Sequence, residues 1–165
     1  MKMINVTSLH LSEMMSWFTD AVSLAFWAGP GFRYPFTDHT FIDDLSLDSV
    51  ASFSLVNHEG DLAGFGQYYR RNGKCHLARL VIAPIFRGQT CQTEPFVSKK
   101  FSHILIQQLS EHGCSKLAIE PSPEAVSLFV LNGNLPAINL YLSLGFVKQD
   151  DVESMPIDNC IYMVK

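Results

Sequence analysis

Apolar positions along this chain fall into two rhythms, one repeating every second residue and one every three to four. Ile4 to Leu9 alternates weakly and reads as a first strand. Leu11, Met14, Met15, Phe18, Val22, Ala25 and Phe26 then recur at helical spacing, which predicts one helix ending at Gly29-Pro30. A loop dense in aromatics, Trp27 to Phe36, follows. Thr37 or Asp38 can cap a second short helix through Leu45, with Phe41, Ile42 and Leu45 as its apolar face. Three strand-like runs come next: Val50 to Asn57, Leu62 to Arg70 and Cys75 to Ile82. Asn72-Gly73 joins the last two, and Asn-Gly between alternating runs is a strong hairpin signal, so an antiparallel meander is expected.

Beyond the meander, Val97, Phe101, Ile104, Leu105 and Leu109 share one face of a long amphipathic helix, for which Gly113 reads as the stop. Lys116 to Glu120 is either another strand or an irregular passage, Pro121 to Ala125 a turn, and Ser127 to Leu131 a strand. In Asn134 to Phe146, written NLPAINLYLSLGF, the residues Ala137, Leu140, Tyr141 and Leu144 recur at helical spacing. Asn132 or Asn134 can cap that helix, Pro136 sits in its first turn where a missing N–H costs nothing, and Gly145 ends it. Phe146 to Val152 and Cys160 to Val164 can pair as a closing hairpin across Glu153 to Asn159.

Composition narrows the class. A chain of 165 residues is long enough for a substantial core, and one domain over 1–165 is expected. Hydrophobic residues make up 47% and charged residues 17%, with a formal charge of -4, which argues against disorder and against a nucleic-acid partner. Cys75, Cys91, Cys114 and Cys160 form no C-x-x-C pair, so free thiols in a reducing cytoplasm are expected, with no zinc site and no disulfide framework. Met14 to Ala28 is apolar but interrupted by Asp20, so neither a signal peptide nor a membrane association is read there.

Candidate chemistry enters at two places. A strand running through a Gly-containing loop into a helix offers unpaired backbone N–H groups and a helix dipole to an anion, and Arg87 to Gln92 stands at such a junction. Lys99 and Lys100, in the first turn of the helix, either meet a phosphate or form a solvated face. Tyr141, on the apolar face of its helix, is either a half-buried core tyrosine or a proton donor.

Asn134, Ala137, Leu140-Tyr141 and Leu144-Gly145-Phe146 reproduce the block N-x-x-A-x-x-(L/F)-Y-x-x-L-G-F, and the segment resembles the GNAT superfamily of N-acetyltransferases position by position. LVIAPIFRGQ resembles the family's strand and loop, after which Thr90 and Gln92 stand where further glycines would be. One alignment keeps the phosphate loop there; another treats those residues as an insertion and makes Phe96-Val97-Ser98 the turn into the helix.

The resemblance implies an α/β (α+β) fold, a mixed, mostly antiparallel twisted sheet of about six to seven strands flanked by about four helices. A splayed strand pair would form the cofactor cleft. It implies acetyl-CoA as cofactor, held by Leu80, Val81 and Ile82 on the strand, by Arg87, Gly88, Gln89 and Thr90 or Ser98 at the phosphates, and by Asn134 and Ala137 beside it. Acetyl transfer needs a deprotonated amine, a polarised carbonyl and a protonated leaving thiolate. The resemblance assigns the last to Tyr141 and the carbonyl to the N–H groups of Val81 or Ile82. Where many members carry a Glu on the fourth strand, this chain has Ala78; His76, two residues earlier on the same face, is the candidate base, with Glu120, Tyr68 or Tyr69 and a water relay behind it. By the same resemblance Trp27, Phe32, Tyr34 and Phe36 line the acceptor pocket, and Arg33 adds a carboxylate contact.

The function expected is thus direct transfer of an acetyl group to a primary amine of a small molecule or peptide, without metal. The alternative is a GNAT-fold binding or regulatory module that has lost catalysis, with the altered glycine loop as its signature. Homodimers are common among the proteins resembled.

Overall fold

The computed structural model describes residues 1–94, 97–122, 124–149 and 159–165. β1 (Lys2–Asn5), β2 (Ala51–Val56), β3 (Leu62–Arg71) and β4 (Lys74–Ile82) are antiparallel neighbours in that order. The Asn72-Gly73 link turns as expected: both residues adopt positive φ, 47° and 75°, as a tight hairpin turn with matching twist requires. β7 (Val126–Leu131) then lies parallel to β4, and β9 (Cys160–Val164) and β8 (Val147–Gln149) complete a seven-stranded sheet in the order β1-β2-β3-β4-β7-β9-β8.

The N-terminal stripe forms two helices where one is expected, α1 (Ser8–Met15) and α2 (Ala21–Ala28). Asp20 is the cause: its carboxylate accepts from the Ser23 N–H at 2.8 Å and so starts a new helix. α3 (Asp38–Leu45) begins at Thr37, which forms a capping box with Thr40. These three helices close over an apolar cluster of Leu11, Met14, Leu24, Phe41, Leu45 and Phe65. On the opposite face α4 (Phe101–Lys116) and α5 (Leu135–Ser143) pack with Leu55, Leu77, Leu128 and Met163.

Gly113 does not stop α4, which continues to Lys116. It is there for contact: a Cβ at this position would meet Cys75 Sγ at 2.5 Å and the Tyr68 ring at 3.0 Å, so only glycine lets the helix lie this close to β3 and β4. No strand forms over Lys116 to Glu120; the passage is irregular. Five helices therefore stand among the described residues where about four are expected.

The segment after β4 holds the largest departure. A short 3-10 turn (Pro84–Phe86) leads into a separate two-stranded hairpin, β5 (Thr90–Glu94) with β6 (Val97–Lys100), and α4 starts only at Phe101. Val97, assigned from the sequence to the helix face, is on this hairpin and 39% exposed. Phe96 of the alternative turn, and most of the expected 153–159 loop, lie outside the described residues.

Candidate active site

β4 carries the fault from which the site is built. Phe65 pairs with Val81 and Gln67 with Ala78, so Arg79 and Leu80 together face the single residue Gly66: a β-bulge, with Arg79 at φ 49°. The bulge swings the end of β4 away from β7. Pairing between the two strands is confined to Cys75, His76 and Leu77 against Val126, Ser127 and Leu128. From Ala78 to Ile82 the β7-facing edge of β4 has no strand beside it, and a cleft of about 850 Å3 opens there.

Leu80, Val81 and Ile82 line the cleft from β4, and Phe129, Val130 and Leu131 from β7. α5 closes one wall. Asn134 caps it by accepting from the Ala137 N–H at 3.3 Å, and Gly145 ends it at φ 87°. Asn134 and Ala137 both reach the cleft, and so does Tyr141. The Tyr141 side chain is 8% exposed and meets Phe146 edge to face at 5.8 Å, and the loss of water pushes its phenol up to about 12. It therefore keeps its proton throughout the physiological range.

At the mouth, Arg87, Gly88 and Ser102 line the opening. Lys100 occupies the N-cap position of α4 without a side-chain cap; the Phe101 N–H donates to the Gln89 carbonyl at 3.4 Å, which leaves the N–H groups of Ser102 and His103 for another acceptor. Phe86 stacks on Phe101 at 4.7 Å and ties the loop to the helix start. Main-chain donors are thus on offer at Ser102 and His103, which the sequence did not single out. Gln89, Thr90 and Ser98 do not line the cleft. Gln89 donates to the Ile85 carbonyl at 2.6 Å, and Thr90 and Ser98 are exposed in the β5–β6 hairpin, where Thr90 pairs with Lys100 at the helix start and Ser98 with Gln92.

His76 also reaches the cleft, but as a buried group: 2% exposed, its Nδ1 is 2.9 Å from Ser127 Oγ, and its ring lies against Tyr69 and Phe129. Burial, with the positive Arg71 nearby, pulls its pKa down to about 4, so the imidazole is neutral at pH 7.

Of the four aromatics assigned to an acceptor pocket, Trp27 alone lines the cleft. Phe32 is 8% exposed and packs on Trp27 and Phe41; Phe36 packs on Phe41. Tyr34 donates to the Thr19 carbonyl at 2.9 Å. Phe32 and Phe36 pack into the core under α1 to α3 and Tyr34 is 42% exposed; none of the three lines the cleft, because the loop between α2 and α3 folds back onto the helices. Arg33 is committed as well: its Nε and Nη2 reach Asp44 at 3.0 and 2.7 Å. In their place the cleft presents Trp17, Phe26, Phe129 and, from the bulge, Arg79. A charged residue in the middle of the apolar run CHLARLVI was the available signal for the last.

Among the described residues no helix is long and apolar enough to cross a membrane, and no group of His, Cys, Asp or Glu is arranged to hold a metal ion.

No family model matches the sequence. Solved structures do. The chain is similar to a spermidine N-acetyltransferase from Vibrio cholerae in complex with CoA and spermine, with 17% identity and a TM-score of 0.67 over 99% of this chain and 94% of that one. A ribosomal-protein-alanine N-acetyltransferase from Brucella melitensis matches with 17% identity and a TM-score of 0.65 over 100% and 99% of the two chains. An acetyltransferase of the GNAT family from Staphylococcus aureus Mu50 matches with 13% identity and a TM-score of 0.62 over 99% and 97%. Set beside the parted strands and the capped α5 helix, these likenesses identify the fold of this chain as that of the GNAT superfamily of N-acetyltransferases.

Proposed function

We propose that this protein is an acetyl-CoA-dependent N-acetyltransferase that moves the acetyl group directly to a primary amine, with Tyr141 as the donor to the leaving sulfur. The observation that carries the reading is a buried, protonated phenol on the wall of a cleft opened by a strand bulge. The residues present fit the cofactor. The free edge of β4 offers main-chain groups to an amide-bearing arm, and the uncapped start of α4 beside Arg87 and Gly88 offers N–H donors to phosphates.

When bound, acetyl-CoA supplies a thioester whose carbonyl carbon accepts the amine. The chain's part is then threefold. The β4 N–H groups at Val81 or Ile82 polarise the carbonyl. Tyr141 gives its proton to the sulfur as the C–S bond breaks and the C–N bond forms, and is reprotonated from water as the amine loses a proton. A phenol near 12 remains a competent donor here, because the desolvation that raises it also raises the basicity of a thiolate expelled into the same cleft. His76, neutral and buried, accepts a hydrogen bond from the amine without storing its proton, which leaves to bulk solvent.

The acceptor is a small molecule or the amino terminus of a peptide. The altered glycine loop favours one other reading, a binding or regulatory module of the same fold that does not transfer acetyl groups. Thermal unfolding with acetyl-CoA decides between them. A ligand-dependent rise in Tm together with release of free thiol in the presence of amines is the expected result. No rise at about millimolar acetyl-CoA, a concentration well above ordinary affinities for such cofactors, would leave the second reading standing.

A further inference from the structure

The bulge that opens the cleft also sets an arginine, Arg79, on its wall. Arg79 lines the opening from the face covered by α1 to α3, with its charge only partly answered. Its Nη1 donates to Gln67 Oε1 at 2.7 Å and to the Leu45 carbonyl at 3.4 Å, both uncharged, and its guanidinium lies 5.6 Å over the Phe32 ring. Nε is buried without a partner. The carboxylate whose charge it feels, Asp44, is already held by the Arg33 main-chain N–H and guanidinium. Gln67 is fixed in turn, donating to the Leu45 carbonyl at 2.9 Å and to Ser52 Oγ at 2.7 Å, so Arg79 is held in place by a fully buried amide.

Two further features give this cation a direction. Among the described residues that line the cleft there is no Asp or Glu, while Arg79 and Arg87 both do so. Burial also works against the Arg79 charge, an opposition that an incoming anion relieves. Among the described residues a polycationic acceptor meets the reverse: a partly buried positive charge and no carboxylate on the cleft wall.

Resting on the acetyltransferase reading above, we propose that Arg79 selects the acceptor by holding the carboxylate of an amine that bears one, as an amino acid or a peptide with an acidic first residue does. A cation beside the bound molecule also lowers the proton affinity of its ammonium group, which helps to supply the neutral amine that attack requires where no Glu stands at Ala78.

The test compares matched amines at equal concentration of the neutral form: glutamate with glutamine, phenylalanine with its amide, a peptide starting with Glu with one starting with Gln, and spermidine. The wild-type protein is expected to favour the carboxylated member of at least one pair by about tenfold or more in kcat/KM, the pair identifying whether the source is a free amino acid or a peptide. Arg79→Gln should bring that ratio close to one, and Arg79→Lys should restore part of it. An equal fall in both members of the pair, an unchanged ratio, or spermidine as the best acceptor would overturn the proposal. Should Arg79→Gln not fold, Gln67→Glu answers the guanidinium with an internal carboxylate and is expected to erase the same preference. If no amine is acetylated, the same amines and N-acetylglutamate are titrated by thermal shift. A carboxylate-dependent shift lost in the variant upholds the Arg79 site while removing the acetyltransferase reading; no such shift removes the site as well.

Discussion

The two ends of the cleft work by different means. The inner end is walled by Tyr141, His76 and Phe129, and on the proposed reading its chemistry resides in buried side chains whose proton affinities have moved in opposite directions: the phenol up to about 12, the imidazole down to about 4. The outer end is open, and the binding proposed for it resides in main-chain N–H groups at the start of α4. A side-chain device demands a particular residue at a particular position. A main-chain device demands only a helix start in the right place, and tolerates Thr and Gln where glycines are expected.

The sharpest way to break this contrast is Tyr141→Phe, which should lower kcat by about 100-fold or more while leaving acetyl-CoA affinity within about threefold. An unchanged rate would remove the phenol from the chemistry. His76 gives the next effect. Its folded pKa lies below the ordinary 6.5, so the stability its neutral form contributes is present above that value and is lost as pH falls toward 4. Urea unfolding at pH 7 and pH 5 should differ by about 2 kcal/mol from this group, and His76→Asn should reduce the difference. At the open end, Ser102→Glu sets a negative charge against the phosphate position and should raise the Kd for acetyl-CoA by about tenfold, with kcat at saturation little changed. The smallest effect is expected from replacing residues 91–99 by two glycines, since among the described residues β5 and β6 share a ladder only with each other and touch the rest through Cys91 at the core edge and an exposed Lys99–Gln107 hydrogen bond. Acetyl-CoA affinity should move by less than about threefold and stability by less than about 1 kcal/mol. A larger loss of affinity would show that the hairpin takes part in phosphate binding.

What could be read from the sequence follows the same division. The α5 segment was legible because everything that fixes it is local: an Asn that caps, a Pro in the first turn, a Gly that ends the helix at positive φ, and apolar residues at helical spacing. The meander was legible for the same reason, through Asn72-Gly73. The splayed strand pair was expected only by family resemblance, since a bulge at Arg79 is a matter of register between strands and leaves little trace in one of them. Gly113 misled because a glycine needed for close helix-sheet contact and one that ends a helix look identical in sequence. Phe32 and Phe36 misled because aromatics in a loop indicate burial without saying which side of the loop is buried, and Tyr34 because its hydroxyl is used locally, donating to the Thr19 carbonyl. The β5–β6 hairpin was missed because its strands, TCQTE and VSKK, are polar and exposed, with no apolar period to betray them.

Three paired positions between β4 and β7 are a narrow seam for a sheet of seven strands. They divide it into a four-stranded leaf, β1 to β4, and a three-stranded leaf, β7 to β9, each with its own complete ladder. A seam this short can flex without costing either leaf a hydrogen bond, so the gap between them can widen or narrow as a molecule enters. Amides on the exposed margin from residue 78 to 82 should then exchange with deuterium quickly in the free protein and slowly once the gap is filled, while those within either leaf stay slow throughout.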